Sequence, residues 1–194
     1  LDFGAGTLGD MGVHIFDAPF KALNLSYPSW VKTTCRKPNG FGHPGSNTVE
    51  YSFERTEYTT EDLRWIWFDG GHVATMKIPE LKLPAGKKFP SQGAVYVGEK
   101  GCILHPHTLG PIFYPASIKQ SIKMPDLKPM DHHHDWIDAC LANNPPTHAA
   151  FTYAAFLTET VLLGAVGNRF PGKKMEWDYQ NMRFTNMPEA NKLV

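Results

Sequence analysis

Hydrophobic positions divide the chain into short segments of different period. Val13, Phe16, Phe20 and Leu23 recur at helical spacing, which predicts a helix with one stripe turned to a core. Thr7 stands where it can cap that helix, with Asp10 three positions on as in a capping box. Pro19 should kink the helix or end its first segment. Three runs rich in β-branched and aromatic residues follow, SWVKTTCR (29–36), NTVEYSFE (47–54) and LRWIWFDGG (63–71), and each reads as a strand. In the third, Leu63, Trp65 and Trp67 alternate with Arg64, Ile66 and Phe68. Apolar groups then fall on both faces, which predicts a central strand. GAVYVGEKGCIL (93–104) reads as a hairpin turning at Glu99, Lys100 and Gly101. Residues 105–130 are rich in proline, show little periodicity and predict a long surface excursion.

Helical period returns at Asp131, where DHHHDWIDACLA runs into Asn143, Asn144 and the Pro145–Pro146 pair that should stop it. A second helix, roughly 149–165, is apolar on most sides and is therefore expected to be deeply buried. MEWD and MRFTN read as a strand or an extended tail. Clustered strands with helices at the two ends predict an α+β fold in one domain, 1–194, its mostly antiparallel sheet covered by helices on one face.

Charge narrows the partners. Lysine plus arginine equal aspartate plus glutamate at 19 each, so no basic field exists to hold nucleic acid or anionic lipid, and a small neutral partner fits better. Cys35, Cys102 and Cys140 are odd in number and form no C-x-x-C pair, so they are expected as reduced, mostly buried thiols. No apolar run approaches the ~20 residues that span a bilayer, and no charged-then-apolar leader opens the chain, so a soluble chain is expected. A glycine-rich stretch at position 4, without an initiator methionine, implies that a longer polypeptide is cut here.

Four groups of residues bear on chemistry. GAGTLG fits the G-x-G-x-x-G spelling at Gly4, Gly6 and Gly9, yet only three residues precede it. The fingerprint needs a buried strand ahead of the glycines and a helix behind them, so it does not stand as a dinucleotide loop by itself. Asp10, His14 and Asp17 are spaced four and three apart and share one side of the first helix. An imidazole beside carboxylates suits removal of a hydroxyl proton; a capping Asp10 and a surface His14 would have the same spacing. His132, His133 and His134 are successive, and successive helical positions point about 100° apart, so the three cannot grip one ion together. One of them could face a cleft, with His105 and His107 farther up the chain. Lys100 could reach an anionic group from its turn or simply be solvated. Trp136, Trp177 and Tyr153 could stack on sugar rings or pack in the core. No cysteine has a nucleophile's neighbours.

DFGAGTLGDMGVHIFDAPFKALNL followed by YPSWV resembles the start of the C-terminal domain in the Gfo/Idh/MocA oxidoreductases, named for glucose-fructose oxidoreductase and inositol dehydrogenase. VYVGEKGCIL is similar to that domain's middle strand pair, HDWIDACLANNPPTHAAFTYAAFLTETVLLGAVGNR to its two late helices, and MEWDYQNMRFTNMPEANKLV to its closing W-D and E-A-N signature. The resemblance covers nearly the whole chain. It implies a two-domain enzyme: an N-terminal Rossmann domain holding NAD or NADP, and this domain, whose open sheet of the glyceraldehyde-3-phosphate-dehydrogenase C-terminal kind serves substrate and subunit contacts. The family's D-x-x-x-H element falls on Asp10 and His14. By that likeness His14 is the acid/base on a sugar or polyol hydroxyl while hydride passes to the nicotinamide, and Asp10 binds or orients it. Asp17, Lys100, His133 and His134 are the substrate-binding candidates, and Gly6 the residue that meets the cofactor. The family's E-K-P lysine belongs to the cofactor domain and has no counterpart here. The chain alone is thus expected to bind NAD weakly or not at all and not to turn over, and to form a homodimer or tetramer through its sheet. Two other outcomes stay open: an NAD-dependent glycosidase acting by oxidation and elimination, and a non-catalytic sugar-binding or assembly module. Either NAD or NADP, and either a cytoplasmic or an exported periplasmic location, fits these residues.

Overall fold

A computed structural model of the chain describes residues 4–61, 63–142 and 147–194. Its first element, α1 (Gly6–Ala22), starts one residue ahead of the expected cap: Ala5 precedes it and no side chain caps it. Thr7 therefore lies inside the first turn, and Asp10 has no capping box to complete. The helix also runs through Pro19, which is buried. A proline removes only its own N–H, and the Pro19 carbonyl still accepts the Leu23 N–H at 3.0 Å. Leu8, Ile15, Phe16 and Phe20 fill the core from this helix, while Val13 and Leu23 are only half-buried at its margin.

The strands form two antiparallel sheets. The larger takes β1 (Pro28–Cys35), β2 (Asn47–Phe53), β3 (Trp65–Asp69), β7 (Lys174–Asp178) and β8 (Arg183–Phe184), in the order β3-β2-β1-β7-β8. The smaller takes β4 (Gly93–Gly98), β5 (Gly101–Pro106) and β6 (Ile112–Tyr114) in sequence order. The architecture is α+β with mostly antiparallel pairing. β3, expected at the centre, is an edge strand. Its Trp65 and Trp67 turn into the core, whereas Ile66 and Phe68 sit half-buried on the opposite face, so its two-sided apolar character reflects an open outer face of the sheet.

The inner face is packed by α1 and by α3 (Phe151–Gly167). Phe16 meets Tyr51, Trp65 and Trp67 edge-on, with ring centroids 5.9, 4.9 and 5.5 Å apart, the geometry that aromatic quadrupoles favour. Gly164 of α3 lies against the Tyr51 hydroxyl and Leu8, where a Cβ would have no room, and this lets α1 and α3 close over the sheet. In α3 burial begins at Leu157 and continues through Val161 and Leu163; Phe151 is 89% exposed, contrary to the deep burial that its composition predicts. α2 (His132–Ala142) has no buried residue, and the Asn143–Pro146 stop signal lies outside the described residues. The proline-rich stretch is largely exposed, as expected, but contains β6 and a 3₁₀ turn at Ala116–Ser121. Of the thiols Cys102 is buried, Cys35 half-buried and Cys140 exposed.

Candidate functional site

α1 packs along β4, and between them a cleft of about 260 Å³ opens. One wall is a turn of α1 carrying His14 and Asp17; the other is the end of the β4–β5 hairpin with His105, His107 and Thr108. His14 is exposed and faces His107, their ring centroids 5.7 Å apart and tilted by 57°. The hairpin end is held in place by its backbone. Gly93 pairs with Pro106, and a Cβ on Gly93 would come within 2.5 Å of the His105 carbonyl oxygen, so the strands close here only around a glycine. The His107 N–H donates to the Gln92 carbonyl at 3.0 Å, and the Leu109 N–H donates to Pro106 at 3.2 Å. Within that turn Thr108 has φ 64°, a left-handed conformation that a β-branched residue holds at a cost of order 1–3 kcal/mol.

Asp17 is engaged from behind. Tyr153 of α3 donates its hydroxyl to Asp17 Oδ1 at 2.6 Å and lies 3.0 Å from the Asp17 carbonyl oxygen. Burial, reinforced by this carboxylate, raises the Tyr153 phenol well above its ordinary value. Burial also pushes Tyr96 of β4 up to about 12, with the Asp17 charge adding to it. Both phenols therefore stay protonated, as donors, across the working range of pH. Asp10 is one turn before His14 but is exposed and lies outside the cleft lining; no hydrogen bond joins it to His14 among the described residues. The carboxylate on the cleft wall beside the imidazole is Asp17.

The other anticipated site residues lie elsewhere. Lys100 is exposed in the β4–β5 turn, a full six-residue strand from Gly93 and the cleft, roughly 17–20 Å at a strand's rise. His133 and His134 are exposed in the first turn of α2, where their backbone N–H groups donate to Asp131 Oδ1 at 2.9 and 3.2 Å. The turn is thus capped by Asp131, and neither imidazole lines the cleft. Gly6, at φ 71°, does not open space for a cofactor: a Cβ there would meet His43 Cγ at 2.8 Å, and His43 Nε2 is 3.1 Å from the Gly4 carbonyl oxygen. The glycines accommodate a loop histidine of the same chain. Trp136 is exposed on α2, and Trp177 is buried with its indole N–H on Glu159 at 2.5 Å, so the candidate aromatics do not form one stacking pocket.

A larger, more open hollow of about 420 Å³ lies at the C-terminal end of α1. Two of its polar groups are already engaged: His148 contacts Asp135 at 3.3 Å, and the Lys21 ammonium lies 5.4 Å from the centre of the Tyr153 ring. The smaller cleft holds the available imidazoles. Two of these, His105 and His107, are two positions apart, but only His105 belongs to β5; His107 stands in the turn just beyond it, so strand alternation does not place it. Among the described residues no three His, Cys, Asp or Glu side chains gather as a metal site, and no helix is long and apolar enough to cross a membrane. No family model matches the chain, and no curated protein matches it.

Proposed function

We propose that this chain is the substrate-binding and catalytic domain of an NAD(P)-dependent oxidoreductase of the Gfo/Idh/MocA kind, acting on a sugar or polyol hydroxyl. The observation that carries the reading is the position of His14, exposed on the wall of a cleft, at the residue where the D-x-x-x-H resemblance puts an acid/base. At about 260 Å³ the cleft is smaller than the roughly 300–1,000 Å³ of most ligand pockets, so in this reading it grips part of a sugar or polyol.

Among the described residues the space beside Gly6 is filled by His43, which argues against GAGTLG as a dinucleotide cradle. NAD or NADP belongs in this reading to a separate Rossmann domain. What this chain supplies is proton handling and grip. His14 takes the proton from the reacting hydroxyl oxygen, a task for which an imidazole is suited near neutral pH. Asp17, anchored by Tyr153, accepts a hydrogen bond from a neighbouring hydroxyl. The reading is tested by supplying the cofactor-bearing polypeptide with NAD⁺ or NADP⁺ and a panel of sugars and polyols. Accumulating reduced nicotinamide supports it, glycoside cleavage without net reduction supports the elimination route, and silence on every substrate counts against both. A non-catalytic sugar-binding module is the second reading, favoured by Asp10 standing outside the cleft and by the prior engagement of Asp17.

The open face of the larger sheet supports self-association. Trp30, Ile66 and Phe68 are half-buried there among Lys32, Glu50 and Glu176. An isologous dimer through this face would remove the apolar side chains from water while pairing the charges. Light scattering should report about twice the 21.7 kDa chain mass. A strictly monomeric chain at ~100 µM, well above a stable dimer's ~1 µM dissociation constant, would contradict it.

A further inference from the structure

We propose that His107 is a second substrate-contacting residue, facing His14 across the cleft, and that the pair selects a neutral hydroxyl-bearing ligand over an anionic one. The inference rests on the reading of His14 as the residue that meets substrate. Three observations support it. The two rings, far apart in the chain, are brought to 5.7 Å between centroids on opposite walls. His107 is aimed by a built turn: its own N–H is fixed to Gln92, and the next residue, Thr108, is held in the left-handed region. Local strain that the surroundings maintain at a cleft wall is characteristic of positions where geometry serves binding.

The third observation concerns charge. Among the described residues no lysine or arginine lines this cleft; its ionisable lining is His14, Asp17, His105 and His107. Recognition of a carboxylate or phosphate draws on a lasting cation, usually a guanidinium or ammonium, and Asp17 would repel such a group. An imidazole presents one N–H donor and one lone pair, matching a hydroxyl that both donates and accepts. Two imidazoles on opposite walls can therefore bind adjacent hydroxyls of one ring, His14 at the reacting one and His107 at its neighbour.

The test uses the chain with isotope-labelled histidine, followed by imidazole carbon–proton correlation NMR at constant pH. The probes are myo-inositol and D-glucose as neutral ligands, D-glucuronate and inorganic phosphate as anionic ones. Neutral probes should shift the His14 and His107 signals together. His107→Phe, which keeps bulk but loses the hydrogen bond, should weaken binding of the neutral probe roughly tenfold, and His107→Gln should stay within about threefold. Movement of His14 without His107 overturns the present inference and leaves the His14 reading standing, as does stronger binding of an anionic probe. If no probe moves either signal, both fail.

Discussion

Replacing His14 by alanine in the cofactor-bearing polypeptide should lower kcat by roughly 10²–10⁴-fold, the usual contribution of a positioned acid/base. Folding should scarcely change. His14 is exposed and makes no hydrogen bond among the described residues, and substitutions at such positions stay within about 0.5 kcal/mol. The signature is therefore a loss of turnover at an unaltered melting temperature, with KM moving far less than kcat. The same variant distinguishes the two readings, since a module that only binds sugar would tolerate the change. Full activity in His14→Ala would place the base on another residue.

Replacing Phe20 by alanine should have the opposite profile: a loss of about 3–5 kcal/mol in stability. Phe20 is fully buried, 0% exposed, and its ring meets Phe53, Trp65 and Tyr153 edge-on at centroid distances of 6.0, 6.4 and 6.2 Å. Those partners come from β2, β3 and α3, so truncation opens a hole where α1, the sheet and α3 converge. A loss of that size is a large share of the 5–15 kcal/mol that holds a typical domain together. Urea denaturation would read it as a lowered midpoint with an unchanged slope. Phe20→Leu, which retains most of the volume, should cost considerably less. A cost below about 1 kcal/mol for Phe20→Ala would mean that the ring does not anchor α1, and with α1 the position of His14.

The period of apolar residues determined the elements and most of their bounds. A spacing of three and four made α1, and alternation with β-branched and aromatic residues made β1, β2 and the β4–β5 hairpin, because both signals arise between near neighbours in the chain. The α+β class follows from the order of those elements. Whether a strand lies at the centre or the edge is a different matter. β3 has the two-sided apolar pattern of a central strand and is nonetheless at the edge, since pairing order depends on which strands meet after folding. The same limit applies to the site. The D-x-x-x-H spacing put Asp10 and His14 on one helix, but only the packing of α1 on β4 brought Asp17 to the cleft wall and left Asp10 outside it. It likewise brought His107 opposite His14 and left His133, His134 and Lys100 exposed outside the cleft lining. Local propensity set the residues each element carries. The juxtaposition of imidazoles from separate elements was decided by the packing of α1 on β4, a contact that belongs to no single segment.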